Sequence, residues 1–250
     1  MSLGVAKQLS ISLGLYRPAR ALHSLIFRDP DRRDHLAILS EFIKPGDLAF
    51  DVGANIGDRT DLMLSLGANV VAFEPQPVLA REVRARASAK RLNVVEAALG
   101  AQPGRADLFL TRLTRTASMH ADWDGSNTAG EHGKINVPVT TLDAEIRKHG
   151  VPVFCKMDIE GFEAEVLKGL SSPIKALSIE FHADERGVAK MNQCVDMITK
   201  LATYEFNLTG TEEGKWLSPH WMSKAEFLSA FPACAGQHYY GDVFARRVAA

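Results

Sequence analysis

The chain reads as an α/β protein built on an open, doubly wound, mostly parallel sheet, and three observations lead there. Short apolar runs alternate with stretches of helical periodicity along the 250 residues, the order that builds βαβ units. One of those runs, Leu48 to Val52, feeds directly into a glycine turn that ends at Gly57. An acid, Glu74, closes the next apolar run, about twenty residues beyond those glycines, the separation at which a carboxylate meets ribose hydroxyls in such sheets.

The first thirty residues are mildly apolar, but Lys7, Gln8 and Ser10 interrupt any signal-peptide core and no run reaches membrane-spanning length. A soluble, cytoplasmic protein is expected, and Cys155, Cys194 and Cys234, far apart and without a Cys-x-x-Cys pair, fit a reducing compartment. Leu9, Leu13 and Leu15 form a short amphipathic stripe, with Arg17, Arg20 and Arg28 nearby, expected to pack on the domain rather than to touch a membrane. Asp29 caps a stronger helix with Pro30 at its first position and Leu36, Leu39, Phe42 and Ile43 on one side. Residues 1–46 are thus an N-terminal helical segment packing on or capping the domain that occupies 47–250. Near half of the chain is apolar, enough for one large core, and a formal net charge of −1 supplies no basic field for nucleic acid or anionic lipid.

Leu48 to Val52 is too short for a helix and apolar apart from Asp51, as a central parallel strand should be. Gly53 and Gly57 remove side chains where the backbone turns sharply and a ligand approaches, and the following helix aims its N-terminal amides at the same place. A dinucleotide fingerprint would need glycine where Asn55 and Asp58 stand. Asp51 and Asp58 also add negative charge where a pyrophosphate would bind, whereas the ammonium and sulfonium of S-adenosylmethionine suit such a site. The helix carries Leu62, Met63 and Leu66 to the sheet and stops at Gly67, after which Asn69 to Phe73 forms a strand that presents Glu74 as ribose ligand.

Pro77 to Lys90 reads as a helix whose Arg81, Arg84 and Arg86 form a solvated face, with Glu82 and Arg86 paired one turn apart. Asn93 to Ala98 is the third strand. Ala106 to Leu110 and Ile135 to Val139 alternate as a paired set, and the polar loop between them, 111–133, is too long for a bland connection. Its Arg115, Ser118, His120, Trp123 and Asn127 either grip an acceptor or form a surface loop without a role.

Thr140 and Asp143 read as a capping pair for a helix ending near Gly150. Val153 then opens a buried strand in which Lys156, Asp158 and Glu160 alternate, so that all three face one side at its carboxyl end. Three charges there are costly unless they pair or line a cleft. A short helix, Phe162 to Gly169, leads to the strand Ala176 to His182, on which Glu180 and His182 share a face beside Lys156. A Lys156–Glu180 ion pair that merely holds register is the structural alternative. A helix from Val188 to Ala202, a strand from Tyr204 to Leu208 and a last strand from Asp242 to Arg246 complete the series. Trp216, His220, Trp221, His238, Tyr239 and Tyr240 either wall an acceptor pocket or anchor the core. Asn207-Leu208-Thr209 matches a glycosylation acceptor only formally.

Two of these strings, Phe-Asp-Val-Gly-Ala-Asn-x-Gly ending at Gly57 and Lys-x-Asp-x-Glu-Gly-x-Glu ending at Glu163, resemble motifs of the FkbM family of class I methyltransferases. The resemblance runs from about Leu48 to His182. It implies a Rossmann-like sheet of seven strands, mostly parallel with an antiparallel last strand, and S-adenosylmethionine-dependent O-methylation of a hydroxyl on a sugar, polyketide or related metabolite. Asp51, Gly53, Asn55, Gly57 and Glu74 would then bind the cofactor, with Glu96 near the adenine. An in-line displacement needs positioning and a base. His182 has a suitable unperturbed pKa, Asp158 or Glu160 serves as alternative base or orienter, Lys156 orients the carboxylates, and Glu180 belongs to the same cluster. Asp158, Glu160, Glu180 and His182 also make a hard-ligand set for magnesium or manganese, but no signature spacing supports one and no metal is assigned. An NAD-dependent oxidoreductase would lack its glycine spacing and a Tyr-x-x-x-Lys pair. A non-catalytic adenosyl-ligand-binding protein would have no use for Lys156, Asp158 and Glu160. The expected partner is a small-molecule or glycan acceptor, not nucleic acid or an integral membrane segment, and the oligomeric state is not legible.

Overall fold

The computed structural model describes residues 30–86, 90–110, 117–118, 133–210, 215–236 and 240–248. Among the described residues the helices are α1 (Pro30–Phe42), α2 (Asp58–Ser65), α3 (Pro77–Arg84), α4 (Leu142–His149), α5 (Glu163–Leu167), α6 (Glu185–Thr199) and α7 (Lys224–Ala235). The strands are β1 (Leu48–Val52), β2 (Asn69–Phe73), β3 (Leu92–Val95), β4 (Ala98–Leu99), β5 (Gly104–Leu110), β6 (Ala117–Ser118), β7 (Lys134–Thr140), β8 (Phe154–Met157), β9 (Ala176–His182), β10 (Tyr204–Thr209) and β11 (Tyr240–Arg247).

The main sheet runs β10-β11-β9-β8-β1-β2-β3. Its pairs from β9 to β3 are parallel, and β11, the last strand in the chain, inserts antiparallel to both β9 and β10. Side-chain alternation sorts the strands onto two faces. Ala49, Val70, Phe154, Ala176 and Phe244 pack against Ile38, Leu39 and Phe42 of α1 and Leu62 and Met63 of α2. Phe50, Val71, Cys155, Leu177 and Ala245 meet Val195 and Ile198 of α6 and Phe227 and Phe231 of α7. Helices thus cover both faces, which is why the central strands are mostly apolar, with Asp51, Lys156, Ser178, Glu180 and His182 as the exceptions.

Phe42 stacks on Phe154 and Phe244 at 5.6 and 5.8 Å and takes Trp216 and Trp221 edge-on. Both tryptophans therefore anchor α1 to the sheet and do not line the cleft described below. His220 is exposed, while His238 and Tyr239 lie outside the described residues, as do the amphipathic stripe at Leu9 to Leu15, the Asp29 cap and all of the 111–133 loop except β6 and Gly133. Asn207 is buried and its amide donates to the carbonyls of Ser218 and His220, which gives it a packing role. No described helix is long and apolar enough to cross a membrane.

Several element boundaries differ from the sequence expectation. The third strand is two: the chain leaves the main sheet after Val95, and Ala98–Leu99 joins a second, four-stranded sheet of order β4-β7-β5-β6, pairing parallel with β7. The N-cap of α4 is Thr141, whose hydroxyl accepts from the Ala144 amide, whereas Thr140 donates to Glu145 and the Asp143 carboxylate accepts from the Ser171 amide. Asp184 caps α6, taking the Gly187 amide, so that helix begins three residues before Val188. The run of charged residues after Lys156 is not strand: β8 ends at Met157, and the chain turns, with Glu160 at φ 56° and Gly161 at φ 87°.

Candidate active site

At the carboxyl end of β1 the backbone turns through Gly53 at φ 82°, and the amides of Gly53 and Ala54 both donate to the Phe73 carbonyl. A side chain at Gly53 would place its Cβ 1.9 Å from the Asp158 carbonyl oxygen, so only glycine lets the turns after β1 and β8 close together. Asn55 follows, also at positive φ, with its own Oδ1 accepting from the Ile56 amide. Its backbone amide donates to Glu74 Oε2 at 2.8 Å, and the Gln76 amide donates to Oε1 at 2.9 Å. Glu74 is only 3% exposed, and burial pushes its carboxyl up to about 8 despite those two amides.

These residues wall a cleft of about 660 Å³, its open mouth included. Ala97, Ala98, Leu99 and Leu108 give the lining an apolar part, and Asp158, Ile159, Glu160 and Phe162 complete it. The described lining carries three carboxylates, from Glu74, Asp158 and Glu160, and no lysine, arginine or histidine.

Three of the residues expected at the cofactor lie outside the described cleft lining. Asp51 is buried behind the turn, accepting the Thr60 hydroxyl at 2.6 Å, and burial raises its pKa. Gly57, at φ 84°, begins α2, and a Cβ there would meet the Arg86 side chain. Arg86 is not a solvated partner of Glu82: its side chain, 5% exposed, reaches the Gly57 carbonyl, Asp58 and Asp61. Glu96 pairs with Arg84 at 2.8 Å on the surface, and Ala97 and Ala98 take the place in the lining.

The second charged group does assemble, with a different internal pairing. Lys156, 4% exposed, sits 2.7 Å from Asp158 Oδ2 and 4.0 Å from Asp242 Oδ1. Burial opposes its charge, but the two aspartates outweigh that and hold the ammonium above its ordinary pKa. Burial likewise works against the Asp158 charge, and Lys156 turns the balance and lowers it. Asp242 is legible in the sequence only as a strand residue; the structure sets it opposite Glu180 across β9 and β11, accepting from the Ser178 hydroxyl and 3.8 Å from Arg59. Its signal is an acid directly before the apolar run Val243 to Ala245.

Glu160 and Glu180 meet His182, whose Nε2 is 3.6 Å from Glu160 Oε2 and 3.9 Å from Glu180 Oε2. The Glu160 carboxylate holds the imidazole above its ordinary pKa against the effect of burial. Burial, then the Asp158 charge, drives Glu180 well above the usual carboxylate range. The turn that carries Asp158 and Glu160 is itself organised by Glu163, a buried residue whose Oε1 accepts from the amides of Ile159 and Gly161 at 3.2 Å each. Its signal in the sequence is the final acid of the Lys-x-Asp-x-Glu-Gly-x-Glu string.

Comparison with known proteins gives a consistent picture. Residues 51–208 match the model of the methyltransferase FkbM domain. The chain is 26% identical over 166 residues to the hexuronic acid methyltransferase AglP of Haloferax volcanii, an alignment covering 64% of this chain and 66% of that protein. It also superposes on the crystal structure of a methyltransferase FkbM from Methylobacillus flagellatus with a TM-score of 0.50 at 16% identity, covering 93% of this chain and 60% of that one, a likeness of fold. The chain therefore spans less than two thirds of the length of either relative.

Proposed function

The chain belongs to the FkbM methyltransferase family, and from that premise we propose that it is an S-adenosylmethionine-dependent O-methyltransferase whose acceptor is a hydroxyl of a sugar. The observation that carries the cofactor is the cleft lining: the Asp158 and Glu160 carboxylates, with no lysine, arginine or histidine in the described lining beside the glycine turn, suit an ammonium and a sulfonium and repel a pyrophosphate. The hexuronic acid methyltransferase supports the sugar. Three free thiols, two of them buried, support a reducing, cytoplasmic setting.

Bound S-adenosylmethionine supplies a sulfonium methyl for displacement by an acceptor oxygen. The chain does the rest. Glu74, its two oxygens already fixed by the Asn55 and Gln76 amides, turns its remaining lone pairs to the ribose hydroxyls. Ala97, Ala98 and Leu99 offer an apolar wall to a flat base. Asp158 and Glu160 belong both to the cleft wall and to the charged cluster, so an acceptor oxygen is positioned where cleft and cluster meet. Lys156 anchors the Asp158 carboxylate, placing it to receive the hydroxyl proton, while His182 stands behind Glu160.

The test combines binding and turnover. S-adenosylmethionine and S-adenosylhomocysteine should raise the melting temperature by mass action while NAD and NADP leave it unchanged. Glu74→Ala should weaken adenosyl-ligand binding by about 2–4 kcal/mol, the scale of charge-assisted hydrogen bonds. With labelled methyl donor and a panel of neutral sugars, uronic acids and nucleotide sugars, Asp158→Ala or His182→Ala should lose about 10²-fold or more in transfer with little change in cofactor affinity. Tight NAD binding without adenosyl-ligand binding would sink the reading, as would full turnover in both folded variants.

A further inference from the structure

Glu160, from the turn after β8, and Glu180 and His182, from β9, bring one ligand-type atom each to within 4.8 Å of the other two. His182 Nε2 lies 3.6 Å from Glu160 Oε2 and 3.9 Å from Glu180 Oε2. Two ligands of one ion can be no farther apart than twice a bond of about 2.1 Å, and both spacings respect that limit. Glu180 Oε2 and His182 Nε2 are, moreover, buried polar atoms with no hydrogen-bond partner. Buried polar atoms are normally satisfied, so two such atoms 3.9 Å apart call for an occupant. The charge balance has the same sense: among the described residues four carboxyl groups, of Asp158, Glu160, Glu180 and Asp242, meet three basic groups, Lys156, Arg59 and His182, an excess of acid that a cation would offset.

We propose that Glu160, Glu180 and His182 hold a divalent cation of the magnesium–manganese class, and that this ion receives the acceptor. Two carboxylates with one imidazole form a mostly hard donor set, which suits manganese or magnesium better than a thiophilic metal. Glu160 also lines the cleft, so the ion stands where the cluster opens onto it. Three ligands from the chain leave three of six octahedral positions open, enough for two neighbouring acceptor oxygens and a water. The acceptor is accordingly a sugar that presents a vicinal diol or a hydroxyl beside a carboxylate. A uronate, which bare Glu160 and Glu180 would repel, becomes a ligand once the ion is bound. This specifies the acceptor side of the methyltransferase reading and rests on it.

The probe is manganese itself, titrated by electron paramagnetic resonance into the full chain after EDTA treatment, with S-adenosylhomocysteine present. One ion per chain is expected, and Glu180→Gln and His182→Ala, each shown by its melting curve to be folded, should weaken it at least about 10-fold. Absence of saturable binding, or binding indifferent to both substitutions, overturns the site. In a parallel assay, methyl transfer to a vicinal-diol or uronate acceptor should stop in EDTA and return with manganese or magnesium. Full transfer in EDTA would remove the ion from the reaction and leave the methyltransferase reading standing. Manganese bound through these residues without transfer to any sugar would strike that reading and leave the ion site in place.

Discussion

Glu74 shows how much one buried side chain can report. It is an acid with an ordinary pKa near 4.5 that burial lifts to about 8 in the folded protein, even with the Asn55 and Gln76 amides on its oxygens. Between those two values the unfolded chain has released a proton that the folded chain keeps, so unfolding becomes more favourable as pH rises. The stabilisation is complete below pH 4.5 and is lost on the way to pH 8, at up to about 1.4 kcal/mol per pH unit. Glu74→Gln, which cannot ionise, should flatten that slope. Urea melts of wild type and variant from pH 5 to 8 measure it, and parallel pH profiles would assign the raised pKa to some other group. Glu74 is legible in the sequence because its distance from the glycine turn is a property of the chain. Asp51 is not, for the converse reason: its place on the strand is clear, but that its carboxylate turns back to Thr60 depends on how α2 packs.

At the scale of elements, the site is two turns pressed together. Gly53 is forced by the Asp158 carbonyl, and the turn that carries that carbonyl is held by the Glu163 carboxylate through the Ile159 and Gly161 amides. Glu163→Ala should therefore leave two half-buried amides without that acceptor, costing about 1–3 kcal/mol. Because the freed turn carries Asp158 and Glu160, methyl transfer should fall further than the stability loss explains. Glu163→Gln, which keeps one acceptor oxygen, should recover most of the stability. If Glu163→Ala kept wild-type melting and turnover, the turn would be holding itself. The strands β1, β2 and β9 can be read from apolar runs, and the convergence of Lys156, Asp158 and Glu160 from their spacing. The manner of convergence cannot. A period of two is the same string of letters whether the chain stays extended or turns after Met157, and only the contact with Gly53 decides. Arg86 is out of reach for a similar reason, since its partners Asp58 and Asp61 sit on a helix two elements earlier.

For the molecule as a whole, sheet order decides which charges meet. Asp51, Lys156 and Ser178 stand side by side across β1, β8 and β9, and the antiparallel insertion of β11 carries Asp242 from the far end of the chain to Ser178 and Lys156. No local pattern in the last strand announces that neighbour, because strand order is a global property. The result is one buried ammonium serving Asp158 and Asp242 directly, with Asp51 within its field. Lys156→Met keeps most of the volume and removes the charge, leaving Asp158 without its ion-pair partner at the edge of the sheet and Asp242 with Arg59 alone. Breaking a buried pair from one side costs about 3–5 kcal/mol, which for a chain of this size is a fall of roughly 6–20 °C in melting temperature. Adding Asp158→Asn to Lys156→Met should restore part of that loss, since the second change removes a charge that the first had orphaned. If the double variant is instead as unstable as the sum of the two single changes, Lys156 and Asp158 do not act as a pair, and the stability of the cluster must come from Asp242 or Asp51.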